Sequence, residues 1–437
     1  MPAAQLLAPY FLRLEDYSAP QWIGRVTKAV GHLIESEGPC ASVGDGCGIV
    51  SAGGRVAPGE IIGFRGPTVL SMALESPSGI HYGDRIVSRG YRPSVPVGEG
   101  LLGRVIDGAA KPLDGRPPFS MHAQWPLLGE AHPPLSRTSI SRCIGCGVRA
   151  IDGFVTCGRG QRLGIFGGSG VGKSTLVGMM AHGTSADLTV LALVGERGRE
   201  VRDFLEGALG EEGLRRSVVV VSTSDQSPLL RVRAAMAATA IAEYFCGAGK
   251  NVLLVVDSLT RLAMAQREIG LAMGEPPTSK GYTPSVFSLL ARLIERAGNF
   301  GSGSITAFYS VLMEGDDQQD PLVDSVRALL DGHVVLDRKL AAQGHYPAIN
   351  VLDSLSRLMT AVVSPEHLAK ATLIKTLLSA YSTAEDLIRI GAYQKGADHL
   401  LDQAVAALPA IRALLQQDRG EEAPLERNIQ ALLGLQV

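Results

Sequence analysis

The sequence predicts an α/β fold, with a mainly parallel sheet and crossover helices set between a small all-β domain and a helical one. Three observations carry this reading. Between about residues 148 and 359, buried strand-like runs alternate with longer helical segments. Ahead of them, residues 22–91 hold short apolar runs broken by glycine. After Glu366 the strand-like runs stop, and apolar residues recur at helical spacing.

In the first region the runs are Trp22 to Val26, Gly46 to Val50, Gly59 to Phe64, Thr68 to Leu74 and Arg85 to Ser88. They are too short for helices and have turn residues between them, which suggests a β-barrel or a sandwich. Arg92 to Arg142 carries eight prolines and reads as an irregular connector that wraps the next domain. The expected core strands are Arg162 to Phe166, Thr189 to Val194, Ser217 to Val221, Asn251 to Val256, Gly303 to Val311 and Gly332 to Leu336. Helices are expected at Ala234 to Cys246 and Val286 to Ala297. Further on, Leu401, Ala404, Leu408, Ile411 and Leu415 share a helical stripe, as do Leu425, Ile429 and Leu432. Pro409 is expected to kink or break the first of these. The expected divisions are an N-terminal segment (1–21), a β domain (22–95), an α/β domain (96–365) and a helical domain (366–437).

Composition narrows the function. The chain has 437 residues, 46% of them hydrophobic and 19% charged, which excludes a disordered chain. A net charge of −2 provides no global field for nucleic acid. The apolar stretches are far shorter than the roughly 20 residues of a membrane span, so a soluble protein is expected. Residues 1–17 lack a basic n-region, and six scattered cysteines do not make a disulfide scaffold, which fits a reducing cytoplasm. Glycine, at 52 residues, is about 12% against a usual level of about 7%. Part of that backbone is expected to approach a ligand closely.

The clearest motif is Gly167-Gly168-Ser169-Gly170-Val171-Gly172-Lys173-Ser174, followed by Thr175. It matches a phosphate loop, follows an apolar strand and opens a helical stretch, so its N–H groups and helix terminus suit an anion. Lys173 would neutralise the β and γ phosphates, and the Ser174 hydroxyl would ligate Mg²⁺. The strand Asn251 to Asp257 ends in a carboxylate 84 residues beyond Lys173, the form that sets an oxygen near the metal, here through water. Glu196 follows another strand and would stand at the same sheet edge, able to accept a proton from attacking water. Spacing alone equally allows a charged surface turn there.

Together with Asp257-Ser258-Leu259-Thr260-Arg261, Gly195-Glu196-Arg197-Gly198-Arg199-Glu200 and His345-Tyr346-Pro347-Ala348-Ile349, the loop resembles the catalytic subunits of rotary ATP synthases and their secretion-system relatives. Met264 to Ile269, Gly274 to Pro277, Pro284 to Phe287 and Glu314 to Pro321 sharpen this towards the type III export ATPases, the last favouring the flagellar branch. The likeness runs from about Gly98 to Ser382. It implies a RecA-like ATPase core with an N-terminal β-barrel and a C-terminal helical domain, in a homohexamer with ATP and Mg²⁺ between neighbours. It further implies that Glu196 activates water, Arg197 assists near the γ-phosphate, Tyr346 stacks on adenine, and Arg357 reaches a neighbouring chain's nucleotide. The partners it implies are a stator-like regulator, a stalk, an export gate, and secreted substrates with their chaperones, at the cytoplasmic side of an export apparatus. The rival readings are an injectisome ATPase, a rotary synthase subunit, a nucleic-acid translocase, which the charge disfavours, and a scaffold without turnover.

Other features carry less. Cys143-x-x-Cys146, with Cys157 beyond, has no second close pair or histidine pair to complete a zinc site. His345 is expected to be structural, beside the adenine site. Leu6, Leu7, Phe11, Leu12 and Leu14 form an amphipathic segment interrupted by Pro9, which equally suits partner docking or capping of the barrel.

Overall fold

The computed structural model describes residues 22–90, 92–129, 133–313 and 320–436. The amphipathic N-terminal segment and the Glu314 to Gln319 part of the flagellar-type motif lie outside them. The described residues divide after Pro93 into two compact units.

The first unit is a closed antiparallel barrel, not a sandwich. Its order is Ile23–Val30, Leu33–Glu37, Thr68–Ala73, Val56–Arg65, Gly46–Val50 and Arg85–Ser88, which pairs back onto Ile23–Val30. Inward-facing Val26, Ile34, Ile49, Ile61, Val69 and Ile86 fill it. Sequence reading missed Leu33–Glu37 because only Ile34 and Ser36 turn inward, and Glu35, Ser36 and Glu37 leave no apolar run.

The second unit is built on a nine-stranded sheet. Its main path runs Ile349–Ser356, Gly332–Leu336, Arg162–Gly167, Ser304–Leu312, Asn251–Asp257, Leu188–Glu196, Ser217–Thr223 and Arg104–Asp107. Gly298–Asn299 pairs off this path, against Ser304–Leu312. Every neighbour on the path is parallel except Ile349–Ser356, which returns antiparallel. The six strands read from the sequence are all present in the middle of the sheet. Their apolar runs follow from burial on both faces.

The connector is less irregular than its prolines suggest. Arg104–Asp107 forms an edge of the main sheet, and Ser94–Val97 pairs with Ala123–Pro126. A buried arginine is tolerated in that edge strand because Arg104 donates to Asp114 at 2.6 and 3.0 Å and to Pro117 O at 2.9 Å. The guanidinium holds the Asp114 carboxyl down at about 2. The segment does wrap the core: Trp125 Nε1 donates to Glu243 at 3.2 Å, and Arg296 donates to Glu243 at 2.6 and 2.7 Å and to Leu127 O at 2.7 Å.

Helices Pro365–Arg389, His399–Leu415 and Leu425–Leu433 complete the unit, with Ile374, Leu377, Ala404, Ile411 and Leu432 joining the core beneath the sheet. Asp398 caps the second through Leu400 N and Leu401 N. That helix runs through Pro409 without the expected break. Buried Ala404, Ala407, Ile411 and Leu415 straddle the proline, so packing outweighs the one lost bond to the Val405 carbonyl. Among the described residues, no helix is long and apolar enough to cross a membrane.

Candidate active site

The strand Arg162–Gly167 leads into the loop, and the helix Lys173–Gly183 leaves it. Gly172 caps that helix at φ 89°, a left-handed conformation that favours glycine. Gly167 and Gly168 are buried, while Ser169, Gly170, Ser174 and Thr175 are exposed. Val171 packs into the core at 1% exposure, which leaves its backbone N–H as its contribution to a ligand. Buried Leu176, Val177 and Met180 hold the helix against the sheet and so fix where its N-terminus points.

Lys173 folds back beneath the loop. Its Nζ stands 2.6 Å from Asp257 Oδ1 and 3.5 Å from Ser310 Oγ, and the Ser310 hydroxyl donates to the same carboxylate oxygen at 2.6 Å. Asp257 and Ser310 lie on adjacent parallel strands, and Lys173 opens the helix that follows the next strand, Arg162–Gly167, which is why residues 173, 257 and 310 meet. Asp257 is buried and paired with a cation, an arrangement that an arriving phosphate can exchange for its own charge.

Glu196 ends the next strand, where Leu193 is in register with Asp257. Arg261 Nη2 donates to Glu196 Oε2 at 3.2 Å, Arg261 Nε lies 3.2 Å from Oε1, and Nη1 donates to Gly195 O at 2.5 Å. Burial, a hydrogen bond with Glu200 and the charge of Asp257 push the Glu196 carboxyl up to about 7, against the opposing pull of Arg261 and Lys173. A carboxylate poised near neutral pH is suited to accepting a proton from water.

Tyr346 is 47% exposed, and its ring lies against the loop: a Cβ built on Gly172 would come 3.4 Å from Tyr346 Cε1. His345 beside it is buried, and burial and then Arg412 lower its pKa. A cavity of 760 Å³ opens from Ser174 and Thr175 towards Arg419, Gly420, Ala423 and Pro424.

Two predicted residues stand apart from this cluster. Arg197 is 73% exposed and meets Glu200 at 3.5 Å. Arg357 is exposed, and its N–H donates to Asp331 O, while Asp331 N donates to Arg162 O. It thus lies, across Asp331, level with the first residue of the strand whose last residue, Gly167, opens the loop. Five steps of about 3.3 Å set it about 17 Å from its own phosphate loop, beyond side-chain reach.

Sequence reading assigned no role to Ser310 or Arg261. Ser310 was marked by being polar within the apolar run Ile305 to Met313, and Arg261 by its place four residues after Asp257. Cys143–Ile144 pairs with Cys157–Gly158, and bonding to Cys157 and burial push the Cys146 thiol well up.

Ser174, Asp257 and Glu196 offer oxygen alone, the set a hard cation takes. Among the described residues, no three His, Cys, Asp or Glu side chains form a metal cage. Mg²⁺ carried by nucleotide phosphates needs only one or two protein ligands.

A parallel sheet with a phosphate loop, a cation-paired carboxylate two strands away and a poised glutamate defines a RecA-like P-loop ATPase. Comparison with known proteins agrees. The ATP synthase alpha/beta family, nucleotide-binding domain, matches residues 147–356, and the T3SS EscN ATPase C-terminal domain matches residues 363–434. The chain is 51% identical to the flagellum-specific ATP synthase of Bacillus subtilis, over 94% of each chain. It is 48% identical to the type 3 secretion system ATPase of Sinorhizobium fredii, over 93% of this chain and 90% of that one. The assembled ATPase EscN of the enteropathogenic E. coli type III secretion system superposes with a TM-score of 0.89 at 44% identity, covering 94% of this chain and 99% of that one. The chain belongs to the type III export ATPases, the family of flagellum-specific ATP synthases and type 3 secretion system ATPases.

Proposed function

We propose that this chain works as one subunit of a homohexameric ring that couples Mg²⁺-dependent ATP hydrolysis to flagellar type III protein export. The observation that carries the catalytic part is the Lys173–Asp257 pair beneath the loop, with Glu196 at the end of the next strand. Backbone N–H groups of Gly167, Gly168, Ser169, Gly170, Val171 and Gly172, with Ser174 and Thr175, cradle the phosphates. Lys173 leaves Asp257 for the β and γ oxygens. Ser174, and Asp257 through a water, would hold Mg²⁺, whose chemistry is to neutralise charge on the bridging phosphate oxygens. Glu196 orients the attacking water and takes its proton, Arg261 keeps that carboxylate in place, and Arg197 turns in towards the γ-phosphate. Tyr346 stacks on adenine.

Arg357 serves the neighbouring subunit. Its distance from its own loop supports this, since such an arginine can act only across an interface. A finger of this kind contributes about 10³ to 10⁵ in rate, roughly 4 to 7 kcal/mol. Assembly is then a requirement of catalysis.

The division 22–95, 96–365 and 366–437 separates the barrel, the ATPase core and helices that receive export substrates and their chaperones. A central stalk is a further partner: EscN has been solved in complex with its central stalk EscO, and the chain matches that structure with a TM-score of 0.87. A stator-like regulator and the export gate place the ring at the cytoplasmic side of the apparatus. The net charge of −2 supports protein, not nucleic acid, as cargo. The 48% identity to a type 3 secretion system ATPase keeps an injectisome as the second reading.

The test replaces the chain by Lys173→Ala in its own organism at unchanged protein level. Reduced secretion of filament subunits is expected. Parent-level secretion would overturn the flagellar reading.

A further inference from the structure

We infer that Arg149 is a positioning residue for the base end of the nucleotide site, because it pins the 416–421 segment that supports Tyr346 and leads into the cavity wall. The inference rests on Tyr346 as the base-stacking residue. Arg149 opens a short helix, Arg149–Phe154, just ahead of the strand that leads to the phosphate loop. Its guanidinium is turned to the other end of the chain. Nε donates to Leu414 O at 2.9 Å, Nη2 reaches Gln416 O, and Nη1 reaches the Glu421 carboxylate. These carbonyls belong to the C-terminal end of the helix His399–Leu415, where acceptors lack partners within the helix and a cation is favoured.

The next residue continues the connection. Arg149 N donates to Gln417 Oε1 at 2.9 Å, Gln417 Nε2 donates to Gly147 O at 2.9 Å, and Gln417 N donates to Tyr346 O at 2.9 Å. The backbone of the stacking residue is therefore tied, through Gln417, to the same backbone that carries Arg149. Beyond Gln417 the chain becomes the far wall of the 760 Å³ cavity that starts at Ser174 and Thr175.

In this wall Ala423 is buried, while Arg419, Gly420, Glu422 and Pro424 are exposed. A second cavity of 310 Å³, lined by Arg149, Arg427 and Asn428, shares Glu421, Glu422 and Ala423 with the first. With open volume on both faces of residues 421–423, the polar bonds of the segment gain weight, and the Arg149 guanidinium supplies two of them within 416–421, to Gln416 O and the Glu421 carboxylate, besides the one to Leu414 O. Loss of those donors lets the wall and Tyr346 relax while Lys173, Asp257 and Glu196, held by the sheet, stay in place. The expected signature is weaker ATP binding with turnover retained.

Steady-state ATPase kinetics of the full chain with Mg²⁺ test this. Arg149→Ala is expected to raise KM for ATP about tenfold while kcat stays within about twofold, the pattern of lost uniform binding. Arg149→Lys should recover only part, since an ammonium supplies donors without the fork. Glu421→Gln removes the ion pair with little change of shape and should raise KM by a smaller factor, which keeps the test available should Arg149→Ala fold poorly. Tyr346→Ala, measured in parallel, separates the two levels. Parent KM in Tyr346→Ala overturns the base-stacking reading and the inference with it. A raised KM in Tyr346→Ala with parent KM in the Arg149 and Glu421 variants overturns the inference alone. So does a lowered unfolding midpoint and lowered kcat at parent KM, which is what a merely structural arginine would give.

Discussion

The Glu196 carboxyl, raised to about 7, makes the rate of hydrolysis depend on pH in a direction fixed by the site. Only the ionised form can accept the proton of attacking water, so activity rises as pH increases through about 7. For a single group at that value the ionised fraction is about 9% at pH 6 and about 91% at pH 8, an expected rise of about tenfold in kcat. The cause is local and can be altered. Burial, Glu200 and Asp257 raise the value, while Arg261 and Lys173 lower it. Removing the Arg261 guanidinium by Arg261→Gln should therefore move the midpoint to higher pH, giving a variant that is poor at pH 7 and recovers part of its rate at pH 9. Glu196→Gln should lose about 10² to 10⁴ in kcat at every pH. The assay is phosphate release from pH 5.5 to 9 at saturating ATP and Mg²⁺. A parent profile that is flat between pH 6 and 8, or a Glu196→Gln chain at the parent rate, would refute the assignment.

Asp152 is fully buried, accepts from Cys146 N and Asn428 Nδ2 at 2.8 Å each, and is raised from 3.8 to about 7 by burial. The fold then holds a proton that the unfolded chain releases above about pH 4, so this group's contribution favours the fold at low pH and is lost as pH rises through about 7. Relative to Asp152→Asn, the parent should lose about 3 kcal/mol of unfolding free energy between pH 5 and 8, at about 1.36 kcal/mol per unit. Equal slopes in urea titrations would contradict this. Arg296→Ala leaves Glu243 buried without its partner and should cost about 3 to 5 kcal/mol, of which the double variant Arg296→Met, Glu243→Leu should recover most. A single variant within about 1 kcal/mol of the parent would show that the pair does not hold the connector.

The parts of the fold that were legible are those where one physical demand dictates residue type. Strands buried on both faces must be apolar throughout, and Leu188–Glu196 and Asn251–Asp257 read that way. A loop that turns N–H groups on phosphate must be glycine-rich at fixed spacing, so Gly167 to Ser174 stood out. What stayed hidden depends on partners distant in sequence. Arg104–Asp107 looks like a poor strand until Asp114 neutralises Arg104, and Leu33–Glu37 buries only alternate residues. Pro409 was read by its local effect alone, although the packing around it decides the outcome. Ser310 gained its place only when the sheet register set it beside Asp257, and Arg261 when the helix after Asp257 brought it to Glu196.

The central claim is that each nucleotide is hydrolysed between two copies of the chain, with Lys173 and Glu196 from one and Arg357 from its neighbour. Mixing tests it most directly. Lys173→Ala and Arg357→Ala chains are each expected to be nearly inactive alone. Co-assembled in equal amounts, about a quarter of the interfaces in a random ring should pair an intact Lys173 with an intact Arg357, restoring up to about a quarter of the parent rate. Chains shown to co-assemble that recover no ATPase activity would contradict the account.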